Sequence, residues 1–528
     1  MKQLDGIELE ILWSNLIGIV SEQAKALQRI AFSPVVREAG DLASGLFDAK
    51  GRMVAQANTG TPGHINSLAA AGGHLHRLFE GKLGPGDIVV TNDPWLSAGH
   101  FFDITILSPI FIERKGEQPE LIGYLGSTIH HTDIGGYGIG AGARDVHEEG
   151  LWIPPLKLYE RGEPNATLHD IIRRNVRTPD HVFGALAAQV SSGKAGGERL
   201  VAMCKRYSLA NIESLSDEII RRSEAATRAA IRKLKAGTYH GESRFDVPGG
   251  EVISLKSAVT IDPVAGEISI DFAGSSDASP SGINVVLNYT HAYSTFAIRS
   301  CLNPELPNNH GSLAPIKVTA PVGSIVNAVY PVPVAARHVV GMYVPMPILK
   351  ALHQVMPERV LAEGAGAVWT FQIQGKRADG APFTSSMFSY SGGMGARATK
   401  SGPDATCYPT GVSAVPIEIL EATMPIVFDR KELRPDSGGA GRSRGGDGQS
   451  IQFHMRTQAP WLLNAVPSRL DQGPEGLDGG KSGAGGKFLI NGKPVSEAGK
   501  MMLKPTDVVM FETPGGGGYG APEGAPVR

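Results

Sequence analysis

Cysteine is scarce in this chain. Cys204, Cys301 and Cys407 are the only three in 528 residues, widely separated and without a C-x-x-C pair. That spacing excludes a disulfide framework and a thiolate zinc site, and it suits a reducing compartment. Long apolar runs are missing as well: no stretch of 18 apolar residues occurs, so no transmembrane helix is expected. Met1 to Asp5 has no basic segment leading into an apolar one, so no secretory signal is expected and the protein is assigned to the cytoplasm. Neither sign of charge dominates: 50 Lys and Arg against 52 Asp and Glu leave a formal charge of -2. There is then no global field to hold a phosphate backbone or an anionic lipid surface, and neither nucleic acid nor membrane is expected as a partner. No G-x-S-x-G elbow and no H-E-x-x-H helix appear. Gly479-Gly480-Lys481-Ser482 imitates the end of a phosphate-binding loop, but Glu475 stands where that motif needs glycine. If ATP is used, another polypeptide is expected to bind it.

Glycine and proline are plentiful, 67 and 36 residues, where average usage is together about 12% of a chain. Long helical bundles and coiled coils are thereby excluded, while 41% hydrophobic and 19% charged residues describe an ordinary globular protein. The length corresponds to roughly three domains. Asp5 precedes Glu8 at capping-box spacing, and Ile7, Ile11, Leu12, Leu16, Ile19, Val20, Leu27 and Ile30 recur at helical intervals, which predicts one long amphipathic helix ending before Pro34. Residues 42–57 alternate about Asp48-Ala49-Lys50-Gly51 and predict a hairpin with Asp41 at its open end. Residues 104–112 and 121–129 predict a second hairpin. The glycine-rich stretch 135–142 suits a loop passing close to something bound. Helices are expected over 168–234, where the arginine run Arg221, Arg222 and Arg228 reads as a solvated or partner-docking face. Beyond Gly237 strands and turns prevail, with strands at 268–272 and 316–319 and a helix at 347–355. The expected fold class is mixed α/β (α+β), multi-domain, with a sheet-rich second half: residues 1–165 carry a helix and hairpins, 166–236 are helical, and 237–528 are strand-rich.

Two clusters of ligand-type side chains stand out, His100-Phe101-Phe102-Asp103 and His130-His131-Thr132-Asp133. A turn centred near Gly116 pairs residues whose numbers sum to about 233, so Asp103 and His130 face each other across the open end of the second hairpin. His100 folds back over the same point. Two imidazoles and one carboxylate, with no fourth protein ligand required, describe an open site for one divalent transition metal, zinc or manganese. The same residues also suit plain hydrogen-bonding groups at strand ends. His131, one residue on, points to the other sheet face, and Asp133 is an orienting carboxylate, a general acid/base or a turn aspartate.

Taken in order, these motifs resemble the hydantoinase B/oxoprolinase family. The likeness runs through Arg37-Glu38-Ala39-Gly40-Asp41, Phe47 to Arg52, Asn92-Asp93-Pro94, the two histidine clusters, Glu149-Gly150-Leu151-Trp152-Ile153-Pro154-Pro155, Asn175-Val176-Arg177, Asn309-His310-Gly311, Pro435 to Gly441 and Glu512 to Gly520. It implies a metal site built from His100, Asp103 and His130, joined by Asp41, with Asp133 or His131 ferrying a proton. It also implies a hydantoinase A-type ATPase subunit as partner, which phosphorylates the amide oxygen of a small-molecule cyclic amide (a hydantoin, oxoproline or lactam). The chain in hand would supply the metal that activates water. The family also includes subunits of ATP-dependent acetone-type carboxylases, and a scaffold subunit without turnover is a third reading. Two positions depart from the family pattern: Ala185 stands in Gly184-Ala185-Leu186 and Ser401 in Ser401-Gly402 where the family has aspartate.

Overall fold

The computed structural model describes residues 6–247, 249–366, 368–495 and 499–522. The capping position Asp5 lies outside the described residues. Helix α1 (Gly6–Ile30) forms where the periodicity predicts and buries Leu12, Leu16, Ile19, Val20 and Leu27 of the predicted face, but Leu9 and Trp13 join them while Ile7, Ile11 and Ile30 are exposed. Proline at position 34 does more than end it: with Ser33 as cap, it opens a separate short helix, α2 (Pro34–Arg37).

The first sheet contains both predicted hairpins, β1 (Leu42–Asp48) with β2 (Met53–Gln56) and, beyond β3 (Ile88–Thr91), β4 (Asp103–Ile112) with β5 (Glu120–His130). Strands β6 (Leu156–Glu160) and β7 (Glu163–Pro164) complete an antiparallel order β2-β1-β5-β4-β3-β6-β7. Every residue of β1 is buried because both faces are covered. Alternate side chains go to opposite sides: Leu42 and Leu46 join the core under α1, and Ala43 and Phe47 join the core under α3 (Pro62–Phe79). Helix α4 (Ala166–Asn175) leads into α5 (Pro179–Arg206), which shares the α1 core through Ala185, Ala188 and Leu200. On α6 (Glu213–Ile231) Arg221 and Arg222 are exposed and pair with Glu218, whereas Arg228 is half-buried and pairs with both Glu224 and Glu267.

A second sheet follows, β8 (Gly237–Asp246), β9 (Val252–Asp262), β10 (Glu267–Asp271) and β11 (Ile316–Thr319), in the order β11-β10-β9-β8. Helix α7 (Leu287–Leu302) crosses between β10 and β11, packs on α3 and brings the two sheets into one core. The remaining strands are β12 (Val368–Lys376), β13 (Pro382–Ser391), β14 (Ile426–Arg434), β15 (Gly448–Met455), β16 (Trp461–Ala465), β17 (Lys487–Ile490), β18 (Lys493–Pro494), β19 (Gly499–Leu503) and β20 (Val508–Glu512). They form two further sheets, β13-β12-β16-β19 and β14-β15-β20-β17-β18. These close over Trp369, Phe371, Phe453, Trp461 and Phe511. The architecture is therefore mixed helices and several sheets, richest in strands after residue 237. The glycine-rich segments between strands dock backbone on backbone, as where Gly516 N donates to Gly446 O at 2.8 Å and Gly439 N to Gly516 O at 2.8 Å. Among the described residues no helix is long and apolar enough to cross a membrane, and all three cysteines are buried thiols.

Candidate metal centre

The hairpin register brings the site together. Asp103, the first residue of β4, pairs directly with His130, the last of β5, as the count to 233 requires. Asp103 Oδ1 lies 3.1 Å from His130 Nδ1, and Oδ2 lies 3.0 Å from His100 Nε2. Phe102 stacks on His130 at 5.6 Å between ring centres. His100, Asp103 and His130 are all buried, and one ligand atom from each lies within 4.8 Å of the others.

Two residues that sequence reasoning passed over complete the ring around Asp103. His64 sits in the first turn of α3, whose cap is Thr61: the Thr61 hydroxyl accepts from His64 N, with proline opening the helix. His64 Nε2 is 2.8 Å from Asp103 Oδ2 and its Nδ1 3.3 Å from Asp41 Oδ1. Burial alone would lower the His64 pKa, but Asp103 and Asp41 outweigh it and the pKa is raised. Arg337 donates from Nη2 to Asp103 Oδ2 and lies 4.0 Å over the Tyr289 ring. Its approach depends on Gly99, at φ +89°, where a Cβ would meet Arg337 Cδ at 2.7 Å. The Thr61-Pro62 pair was a readable helix start; nothing in the sequence around Arg337 announced it.

The protonation pattern tests whether these residues fit a cation. His100 Nδ1 is 2.8 Å from the Ala335 carbonyl oxygen, which only accepts, so Nδ1 carries the hydrogen. Burial and Arg337 push the His100 pKa down to about 4, so the ring is neutral near pH 7. Its Nε2 lone pair then faces Asp103 Oδ2 without a hydrogen bond. Two acceptors 3.0 Å apart repel unless a cation lies between them. The outer hydrogen bond that fixes the tautomer is the arrangement of a metal-ligating histidine. The residues fit a divalent transition metal.

Asp41, Thr61, His64, His100, His130 and Arg337 line a cavity of about 40 Å³, together with side chains that include Tyr289, Tyr293 and Met342. That is room for an ion with a water or so, and a ring entering it displaces wall side chains. Asp41 lines the cavity but is outside the three-residue cluster, reaching it through His64. Neither His131 nor Asp133 lines it. Burial pushes the His131 pKa down to about 4. Asp133 is not a free carboxylate: it accepts from Gly135 N (3.0 Å), Thr178 N (2.7 Å) and Arg177 N, tying the 135–142 loop to the start of α5. That loop is glycine-rich because the protein's own third sheet presses on it, a Cβ at Gly138 lying 2.1 Å from Gln372 Oε1.

Behind His100 lies a support in the Glu149-Gly150 motif. Glu149 Oε1 accepts from Val334 N (2.6 Å) and Ala335 N (2.7 Å), fixing the carbonyl that holds His100. Burial pushes the Glu149 pKa up to about 8 from 4.5. Between those values the folded chain holds a proton that the unfolded chain has released, so this group makes stability fall as pH rises from about 4.5 to 8. Glu149→Gln should match the parent near pH 5 and exceed its stability near pH 8. Denaturant titrations across that range check the slope, and parallel profiles would contradict it.

The chain matches the hydantoinase B/oxoprolinase family model over residues 5–522, and it belongs to that family. An uncharacterized protein of Methanocaldococcus jannaschii is 31% identical over 98% of this chain and 91% of its own. Caprolactamase subunit beta of Pseudomonas jessenii is 26% identical over 100% and 93%. The crystal structure of ATP-dependent caprolactamase from P. jessenii matches with a TM-score of 0.88 at 24% identity, covering 100% of this chain and 93% of that one. Nucleotide-free acetone carboxylase matches at 0.87 and 20%, covering 98% and 76%.

Proposed function

We propose that the chain is the metal-bearing B subunit of an ATP-dependent cyclic-amide hydrolase, working with a hydantoinase A-type ATPase subunit. The observation that carries the reading is the neutral His100 lone pair aimed at the buried Asp103 carboxylate beside a small cavity that His100 and His130 line. His100, Asp103 and His130 would hold a zinc or manganese ion, which when bound supplies a water acidic enough to attack near neutral pH. His64 and Arg337 orient Asp103 from Oδ2, and Asp41 fixes His64. The proton roles expected for Asp133 and His131 are not carried into this reading, because the Asp133 oxygens accept from backbone N–H groups and His131 is outside the His100, Asp103 and His130 cluster.

A resonance-stabilised amide remains a poor electrophile, and phosphorylation of its oxygen answers that difficulty. The ATP step is assigned to the partner because the Gly-Lys-Ser segment here is spent on packing: Gly480 N donates to Leu477 O at 3.0 Å and Lys481 N to Ala440 O at 2.7 Å. The isolated chain should show no ATP turnover, and lactam- or hydantoin-dependent ADP release should appear only when an A-type subunit is added. Coupled assays on each subunit and on the mixture test this, and substrate-dependent ATP hydrolysis by this chain alone would overturn it. The carboxylase alternative shares the fold, so the discriminating observation is bicarbonate dependence, which this reading expects to be absent.

A further inference from the structure

A second cavity, of about 490 Å³, lies next to the metal centre and has a different chemistry. Both are built on the same two helices. Along α7, Tyr289 and Tyr293 face the metal cavity while Phe296, Arg299 and Ser300 face the second one; along α3, His64 faces the first while Ile65 and Asn66 face the second. At 1.5 Å per residue, Arg299 stands about 9 Å along the helix from Tyr293.

Arg299 is only 8% exposed. Its guanidinium donates to Asn303 Oδ1 at 2.6 Å and to the Leu306 carbonyl, both neutral acceptors, and its Nε has no hydrogen-bond partner. No ion pair joins it to a carboxylate among the described residues. Among the described residues Glu305 is the one carboxylate lining the cavity, and it is exposed. Burial without a counter-charge pushes the Arg299 pKa down to about 10, which still leaves it cationic at neutral pH. The other polar side chains lining the cavity are neutral: Gln56, Asn58, Asn66, Ser300 and Asn308. The first turn of α3 adds the positive end of its helix dipole. A buried cation without a partner anion is expensive to keep, and here it borders a cavity large enough for a small molecule.

We propose that this cavity is a binding site for a small oxyanion, a phosphate or a carboxylate, held by Arg299. The site is separate from the metal centre and does not depend on the hydrolase reading, although ring opening driven by ATP would release anions of both kinds.

The test is calorimetric titration of the purified full chain with inorganic phosphate and, separately, with the linear amino acid 5-aminopentanoate. One probe or both should bind at one site per chain, and which binds identifies the source of the oxyanion. Arg299→Gln should weaken that binding at least about tenfold, the value of one charge-assisted contact. Because Arg299 also ties down the end of α7, Ser300→Asp gives an independent reading. Ser300 is exposed on the helix, so the fold tolerates the change, and the new carboxylate beside Arg299 should lower affinity by a similar factor. His100→Ala should leave affinity within about twofold, since the proposed contact is to Arg299 and not to a metal ligand. The proposal is overturned if neither probe binds at millimolar concentration, if binding survives in Ser300→Asp, or if it disappears in His100→Ala.

Discussion

His100→Ala and His130→Ala should each empty the chain of metal, from about one ion per chain to a small residue, with more than about 100-fold loss of affinity and loss of ring opening in the assembled enzyme. The size of the effect follows from the geometry. Among the described residues His100, Asp103 and His130 form the one cluster whose ligand atoms lie within reach of a common ion, all three are buried, and removing either imidazole leaves two ligands in a site that needs three. His131→Ala should keep its metal, because that ring is outside the cluster formed by His100, Asp103 and His130. Elemental analysis of the three purified variants, with circular dichroism to confirm folding, checks the set. Full occupancy in both His100→Ala and His130→Ala would remove the metal assignment.

Glu363→Ala should be the most destabilising change away from the site. Arg469 is completely buried, and its guanidinium meets Glu363 Oε2 at 2.6 Å while Ser243 Oγ and Lys350 Nζ meet Oε1 at 2.6 and 2.8 Å. Deleting the carboxylate strands a buried cation, at a cost of about 3–5 kcal/mol. Burial alone would raise the Glu363 pKa, but Arg469 and Lys350 outweigh it and hold the group down to about 2. Its contribution is therefore fully present above the ordinary value of 4.5 and is lost as pH falls from there toward 2. Denaturant unfolding of parent and variant measures the difference. A loss below about 1 kcal/mol would place the pair among the ion pairs that contribute little.

The parts legible in the sequence were local. The pairing of Asp103 with His130 could be counted from a turn of known centre, because antiparallel register is arithmetic once the hairpin is recognised. The long first helix was likewise written in its own periodicity. What escaped was brought in from a distance: His64 arrives on α3 and Arg337 from far along the chain, and their meeting at Asp103 depends on how α3 and α7 pack. Asp133 misled for a related reason. A carboxylate close in sequence to a histidine cluster looks chemical, whereas its oxygens are occupied by the backbone at the start of α5. The 135–142 loop suited a path close to something bound, whereas the group that approaches it is the protein's own third sheet. Strand order could not be read, since pairings such as β1 with β5 and β12 with β16 join strands far apart in the chain.

The central claim is that the amide ring is opened at the Asp103 centre of this chain while ATP is spent in the partner. The most direct measurement follows ADP and ring-opened product in parallel over time, in the assembled enzyme carrying Asp103→Asn. Replacing the carboxylate weakens the metal site and leaves the partner untouched. The account predicts that product stops while some substrate-dependent ADP release persists, as activated substrate decays unused. Product formed in step with ADP at the parent rate would contradict it and move the chemistry away from this site.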